Sequence, residues 1–178
     1  MEARKQTRYI VKTTIQTLLG DDHAELDRLL DGAIGSFRID DVASVYHRLD
    51  VFWARLAVHI RAEHLQLFPA LLSIAETRTD LRATVEKLRA DHDFFMRELT
   101  WAIKTMRLAI ENRETETPAG LVSRMDGLKK RLDEHNTIEE AEIYMLADAV
   151  LPAQVLEKLV RSATAELENR PPRFGSGE

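Results

Sequence analysis

The chain has 178 residues, 44 % hydrophobic and 31 % charged, which is the composition of one ordinary globular domain rather than a disordered segment. Its 30 acidic and 25 basic residues leave a net charge of −5, which excludes the basic face that a nucleic-acid binder needs. It has no cysteine, which excludes disulfides, thiol catalysis, iron–sulfur clusters and zinc–thiolate sites, and no apolar run approaches the roughly 18 residues that span a membrane.

Glycine and proline number only 7 and 5, so turns are few and elements long. The first 20 residues interrupt their apolar positions with lysine and threonine and lack a signal-peptide apolar region, so the expected compartment is the cytoplasm. Breaker stretches at 35–41, 76–80 and 112–120 leave four long segments, 21–35, 41–76, 80–112 and 118–149. A shorter segment follows Leu151-Pro152 and runs to about residue 168. Asp40 or Asp41 is the expected N-cap of the second segment, and Thr79 or Asp80 that of the third. Thr117-Pro118 reads as an N-cap followed by proline at the first helical position. Pro69 is expected to kink or break the second helix, beyond its residues of chemical interest. Residues 1–168 are expected to form one domain and 169–178 a disordered tail. No run of alternating β-branched residues reads as a strand.

The apolar period is helical throughout. The first stripe is Ile15, Leu19, His23, Leu26, Leu30. The second is Val45, Leu49, Phe52, Leu56, His59, Glu63, Leu67. The third is Leu81, Val85, Leu88, His92, Phe95, Leu99, Ile103, Met106, Ile110. The fourth is Leu121, Met125, Leu128, Leu132, His135, Glu139, Ile143, Leu146. Long amphipathic helices with short connections predict an all-α fold: an up-down-up-down antiparallel four-helix bundle with an extra C-terminal helix.

Each long stripe carries one histidine, and two carry a glutamate four residues later, on the same helix face. Unpaired imidazoles and carboxylates in an apolar stripe would each lose several kcal/mol of hydration, so the pattern points to a cation in the core. Counted from the turn near residue 78, Glu63 is about 15 residues back and His92 about 14 forward, which puts both at one level. Glu139 matches His92 in the same way across the next turn. His23 is offset from His59 by one to two turns, which the 35–41 connection is long enough to absorb. The expected metal ligands are therefore His23, His59, Glu63, His92, His135 and Glu139. Six side chains with two carboxylates able to bridge suit two ions. Imidazole and carboxylate donors with open positions suit iron, with manganese or zinc as competitors. His47 lies off its stripe and reads as exposed; His64 sits at a stripe edge and reads as structural, with a ligand or supporting role as the alternative; and Tyr144, a turn beyond Glu139, reads as a boundary tyrosine, with a supporting role at the centre as the alternative. Lys129-Lys130-Arg131 reads as a solvated helix face. No histidine follows a glutamate by three residues, so the ferritin-type ligand pattern is absent.

These motifs resemble the hemerythrin-like HHE cation-binding family over about residues 19–150. The carriers are Asp22-His23 with Leu26 and Leu29-Leu30; His59-Ile60-Arg61-Ala62-Glu63 leading to Leu67-Phe68-Pro69; Asp91-His92; and His135-Asn136-Thr137-Ile138-Glu139-Glu140. The resemblance implies a non-haem di-iron centre in a helical bundle, bridged by Glu63 and Glu139. Oxygen-carrying members have a fifth histidine where this chain has Met96, and an aspartate five residues after the last histidine, where it has Glu140. The pattern is thus closer to bacterial members implicated in peroxide breakdown, nitric-oxide response or repair of damaged iron centres. The expected function is to bind or react with O2, NO or peroxide. The alternative is a non-catalytic iron or oxygen sensor, or an iron-handling module, whose last helix reports to a protein partner or a second copy. No nucleic-acid or membrane partner is expected.

Overall fold

The structure, a computed structural model, describes residues 13–37, 39, 41–74, 78–114 and 117–169. Among these residues every regular element is helical: α1 (Ile15–Ser36), α2 (Val42–Ala62), α3 (Phe68–Ile74), α4 (Thr79–Glu111), α5 (Ala119–Ile138), α6 (Met145–Val150) and α7 (Ala153–Glu168). Two π-helical turns, Glu63–Leu67 and Glu139–Tyr144, carry α2 into α3 and α5 into α6. No described helix is long and apolar enough to cross a membrane.

The helix starts show what local chemistry decides. α1 begins at Ile15, earlier than the expected residue 21, because Thr14 and Thr17 cap each other: each side-chain oxygen accepts the other's backbone N–H, at 3.1 and 3.0 Å. Asp148 of α6 adds a cap from across the fold, accepting from the Ile15 and Gln16 N–H groups at 2.9 and 3.0 Å. Asp41 caps α2, accepting from the Ser44 N–H at 2.9 Å; Asp40 lies outside the described residues. The N-caps expected at Thr79 or Asp80 and at Thr117 are displaced. Thr79 is already helical, with Arg78 at the cap position and no side-chain cap bond. Pro118 itself takes the cap position of α5, with ψ of 125°, so the helix opens at Ala119. Of the expected tail, only Asn169 lies among the described residues.

Pro69 acts earlier in the chain than expected. Lacking an N–H, it leaves the Leu65 carbonyl without its normal partner. The preceding turn widens, and the Phe68 N–H bonds back five residues to the Glu63 carbonyl. The irregularity therefore begins on Glu63 rather than beyond the chemistry. The second wide turn contains no proline. What the two turns share is a buried glutamate in first place and a buried aromatic five residues on, Phe68 and Tyr144.

The core is divided in two. One apolar cluster takes Leu26 and Leu30 after His23, Phe52 and Leu56 before His59, Phe95 and Leu99 after His92, and Leu128 and Leu132 before His135. The other takes Ile15 and Leu19, Leu67 and Phe68, Val85 and Leu88, and Ile143 and Ala147, with Leu159, Ala163 and Leu167 from α7. Each fully buried leucine or phenylalanine contributes about 1.5–3 kcal/mol. Between the clusters lies the histidine and glutamate layer. α1 and α4 each pack on both α2 and α5, and α7 lies against α2 and the first π turn.

Candidate metal centre

The six expected ligands meet in this layer. His23, His59, His92 and His135 are no more than 3 % exposed, and Glu63 and Glu139 are fully buried at 0 %. The expected offset of His23 does not keep it from His59: its Nε2 lies 3.1 Å from His59 Nε2. His135 Nε2 lies 2.9 Å from His92 Nε2. The carboxylates sit between these pairs. Glu63 reaches His59 Nε2 at 3.5 Å and His92 Nε2 at 3.3 Å. Glu139 reaches His23 Nε2 at 3.3 Å and His135 Nε2 at 3.2 Å. Two overlapping groups result, His23–His59–Glu63–Glu139 and His92–His135–Glu139, each with donor atoms within 4.8 Å of one another.

Every inward Nε2 has an outer nitrogen that is held. His59 Nδ1 lies 2.8 Å from Asp22, and Arg55 pairs with the other Asp22 oxygen. His135 Nδ1 lies 3.5 Å from Asp91, and the Arg131 Nε–H donates to the other Asp91 oxygen at 2.9 Å. His23 Nδ1 meets Glu140 at 2.8 Å, and His92 Nδ1 meets His64 at 2.9 Å. A histidine that gives its second ring N–H to a carboxylate presents a fixed, more basic lone pair inward.

These supports reveal an internal repeat. Arg55-x3-His59-x3-Glu63 matches Arg131-x3-His135-x3-Glu139, and Asp22-His23 matches Asp91-His92. In each half the aspartate holds the histidine of the next motif, and the arginine one turn earlier holds the aspartate. Sequence reasoning read the histidines and glutamates but not this lattice, although its signal lay in the arginine four residues before each His-x3-Glu pair. Arg131 is exposed, as expected of a solvated face, and also anchors Asp91. Two readings are corrected. His64, at its stripe edge, bonds His92. Tyr144 is not a boundary residue but fully buried. Its hydroxyl donates to Glu63 Oε1 at 2.5 Å and lies 3.2 Å from Glu139 Oε2, 3.1 Å from His23 Nε2 and 3.5 Å from His59 Nε2. His47 is exposed, as expected.

The electrostatics of the cluster follow from burial and charge. Burial pushes His92 well below its ordinary value, so its imidazole is neutral. Burial alone would also push His135 down, but its hydrogen bond to Glu139 and that group's charge win and raise it. Burial alone would raise Glu139, but His135 and then His23 hold it well below the usual carboxylate range. Burial and the charges of Glu139 and Glu63 push the Tyr144 phenol well up, so it keeps its proton and donates. One oxygen of each glutamate, Glu63 Oε2 and Glu139 Oε1, is buried with no hydrogen-bond partner among the described residues.

Comparison with known families gives a match to the hemerythrin HHE cation binding domain over residues 14–147. The chain belongs to this family. No curated protein and no solved structure matches it. The HHE match covers every histidine and glutamate of the centre, together with Asp22, Asp91 and Tyr144. The family is a cation-binding one, and the buried donor groups of the layer are of the kind that can hold a metal ion.

Proposed function

We propose that this chain is a non-haem di-iron protein that binds or reacts with O2, NO or peroxide in its core. In this reading His23, His59, Glu63, His92, His135 and Glu139 would hold the two ions. The observation that carries it is the pair of fully buried carboxylates whose oxygens Glu63 Oε2 and Glu139 Oε1 face only imidazole nitrogens, at 3.3 and 3.2 Å, without a hydrogen bond of normal geometry. A buried carboxylate oxygen so poorly satisfied costs about 1–3 kcal/mol, and cations held among these donors would satisfy both. Four imidazoles and two carboxylates favour iron, and manganese and zinc remain the competing ions. Bound iron would supply open coordination positions and a change of oxidation state.

The chain's own residues do the rest. Asp22 and Asp91 fix the rings of His59 and His135. The two apolar clusters exclude water from both faces of the layer. Tyr144 holds a proton against Glu63 Oε1. The alternation of the clusters, one taking residues after His23 and His92 and the other residues before them, supports an up-down-up-down antiparallel arrangement.

The test is protein loaded anaerobically with Fe(II) and exposed separately to O2, NO and peroxide. The expected result is an optical change with at least one of them, and peroxide consumption beyond the iron present marks a catalyst. No response to any of the three contradicts the proposal. A second reading, a sensor, rests on α7, which packs on the π turn carrying Glu63, with Arg61 paired to Glu166 at 2.6 Å. Its mark is a metal-dependent change in protease sensitivity of α7, or in association with a partner or a second copy, without turnover.

A further inference from the structure

Away from the metal layer, α1 and α2 leave a cleft between them. It holds about 230 Å³ and is lined by Arg28, Leu29 and Gly32 of α1 and by His47, Arg48 and Val51 of α2. His47 stands 12 residues before His59 on the same helix, about 18 Å along the axis, so the cleft is separate from the candidate metal centre. That centre makes no use of Arg28, His47 or Arg48.

In a chain of net charge −5 the lining is one-sided: two guanidinium groups and an imidazole, with no carboxylate. A cleft lined by one sign of charge concentrates ions of the other. Arg28 pairs with Glu25 beside the cleft, but a guanidinium has five N–H donors in a planar fork, and one pair does not use them up. The adjoining hollow of about 590 Å³ shares His47 and Arg48 but is also lined by Asp41, whose carboxylate accepts from the Ser44 N–H and hydroxyl. An anion is therefore steered to the inner cleft. Leu29 and Val51, both half-buried, give that cleft apolar walls. A methyl group at Gly32 would stand 4.0 Å from Arg48 Nη1 and meet no other facing atom within that distance. Packing thus does not demand glycine, which is unfavourable inside a helix. What the missing side chain provides is room beside the Arg48 fork.

We propose that this α1/α2 cleft binds a small phosphorylated molecule, with its phosphate held by Arg28, His47 and Arg48 and its carbon part against Leu29 and Val51. A phosphate suits the site better than a carboxylate. Its three outer oxygens and its charge of about −1.5 to −2 match three donor groups, whereas a carboxylate is filled by one guanidinium fork. The negative charge of the chain disfavours an anionic membrane surface, so the ligand is a soluble one. The inference does not rest on the two-metal reading.

The experiment is calorimetric titration of inorganic phosphate, phenyl phosphate and acetate into the whole chain, freed of metal so that no ion in the core competes, at fixed ionic strength. Phosphate should bind at one site per chain, phenyl phosphate more tightly, and acetate more weakly by about tenfold or more. Arg28→Gln and Arg48→Gln should each weaken phosphate binding by about tenfold or more. Gly32→Leu, which fills the cleft from an exposed helix position, should weaken it as much with Tm unchanged or raised. Arg97→Gln, which removes an exposed arginine of α4 outside the cleft, should match the wild type. Absence of phosphate binding overturns the inference. So does binding that ignores Arg48→Gln and Gly32→Leu, or that Arg97→Gln weakens equally. Acetate as tight as phosphate overturns the choice of phosphate, and phenyl phosphate no tighter than phosphate overturns the place given to Leu29 and Val51. Cosedimentation with vesicles of phosphatidylcholine and phosphatidate, lost in Arg48→Gln, overturns the assignment to a soluble ligand. If Gly32→Leu does not fold, the arginine variants still decide. None of these outcomes bears on the two-metal reading, which Fe(II) loading tests by itself.

Discussion

Replacing Glu63 by leucine should stabilise the metal-free protein and destabilise the metal-loaded one. Glu63 is fully buried, with Oε1 bonded by Tyr144 and Oε2 facing only His92 Nε2, at 3.3 Å and without a hydrogen bond of normal geometry. Removing one partner of a buried ion pair usually costs about 3–5 kcal/mol, because a charge is left behind. Here no charge is left behind on His92, which burial already holds neutral. The released Tyr144 hydroxyl keeps Glu139 Oε2 as an acceptor at 3.2 Å. What remains is relief of the poorly satisfied Oε2, about 1–3 kcal/mol, plus the apolar burial of leucine. A gain of about 2 kcal/mol raises Tm by about 4–8 °C in a chain of this size. With metal present the sign inverts: an ion at about 100 times its Kd stabilises the wild type by about 2.7 kcal/mol, and the variant forfeits most of that. The assay is thermal and urea unfolding of both proteins, in chelator and in excess Fe(II) under nitrogen. Equal destabilisation of Glu63→Leu in both conditions would refute the reasoning and make the layer an ordinary polar network.

Asp22→Asn and Asp91→Asn should each lower metal affinity by about 10–100-fold with helical content unchanged, because each loosens the ring of its partner histidine; chelator competition checks this, and unchanged affinity in both would show that the supports are incidental. Asp148→Ala should cost about 1–2 kcal/mol in urea unfolding, because the Ile15 and Gln16 N–H groups lose their shared acceptor; an unchanged midpoint would refute it. The pH dependence of the metal-free protein should peak between the two unfolded values of its central pair. Glu139 is depressed, so its contribution is present above the unfolded carboxylate value near about 4.3 and is lost as pH falls. His135 is raised, so its contribution is present below about 6.5 and is lost as pH rises through its folded value. The stability difference between wild type and Glu139→Gln in chelator, followed across pH, should therefore be largest between about pH 4.5 and 6.5; a difference still growing above that range would contradict the assignment.

The long helices and the six central residues were legible because both rest on spacing. Residues four apart share a helix face, so His59 with Glu63 and His135 with Glu139 could be placed inside from their positions alone. Tyr144 was only partly legible: its place a turn beyond Glu139 offered a supporting role as the alternative reading, but its burial did not follow, for a geometric reason. In an α-helix the fifth residue after Glu139 lies about 140° round the axis from it, pointing away from the layer. The π turn from Glu139 to Tyr144 widens the helix and brings the phenol back under the glutamate. The same widening sets Phe68 beneath Glu63, where Pro69 left a trace in the sequence and its counterpart left none. Asp22 and Asp91 were seen only as neighbours of histidines, since consecutive residues point apart on a helix. Their role depends on the adjacent helix lying alongside, which periodicity does not specify.

The most direct test of the central claim is the metal content of protein reconstituted anaerobically with Fe(II) and freed of loosely held ions, measured for the wild type and for a double variant, His59→Ala with Glu63→Leu. The account expects two irons per chain in the wild type and loss of that stoichiometry in the variant, with the helices intact. Iron bound equally by both proteins, or by neither, would contradict it.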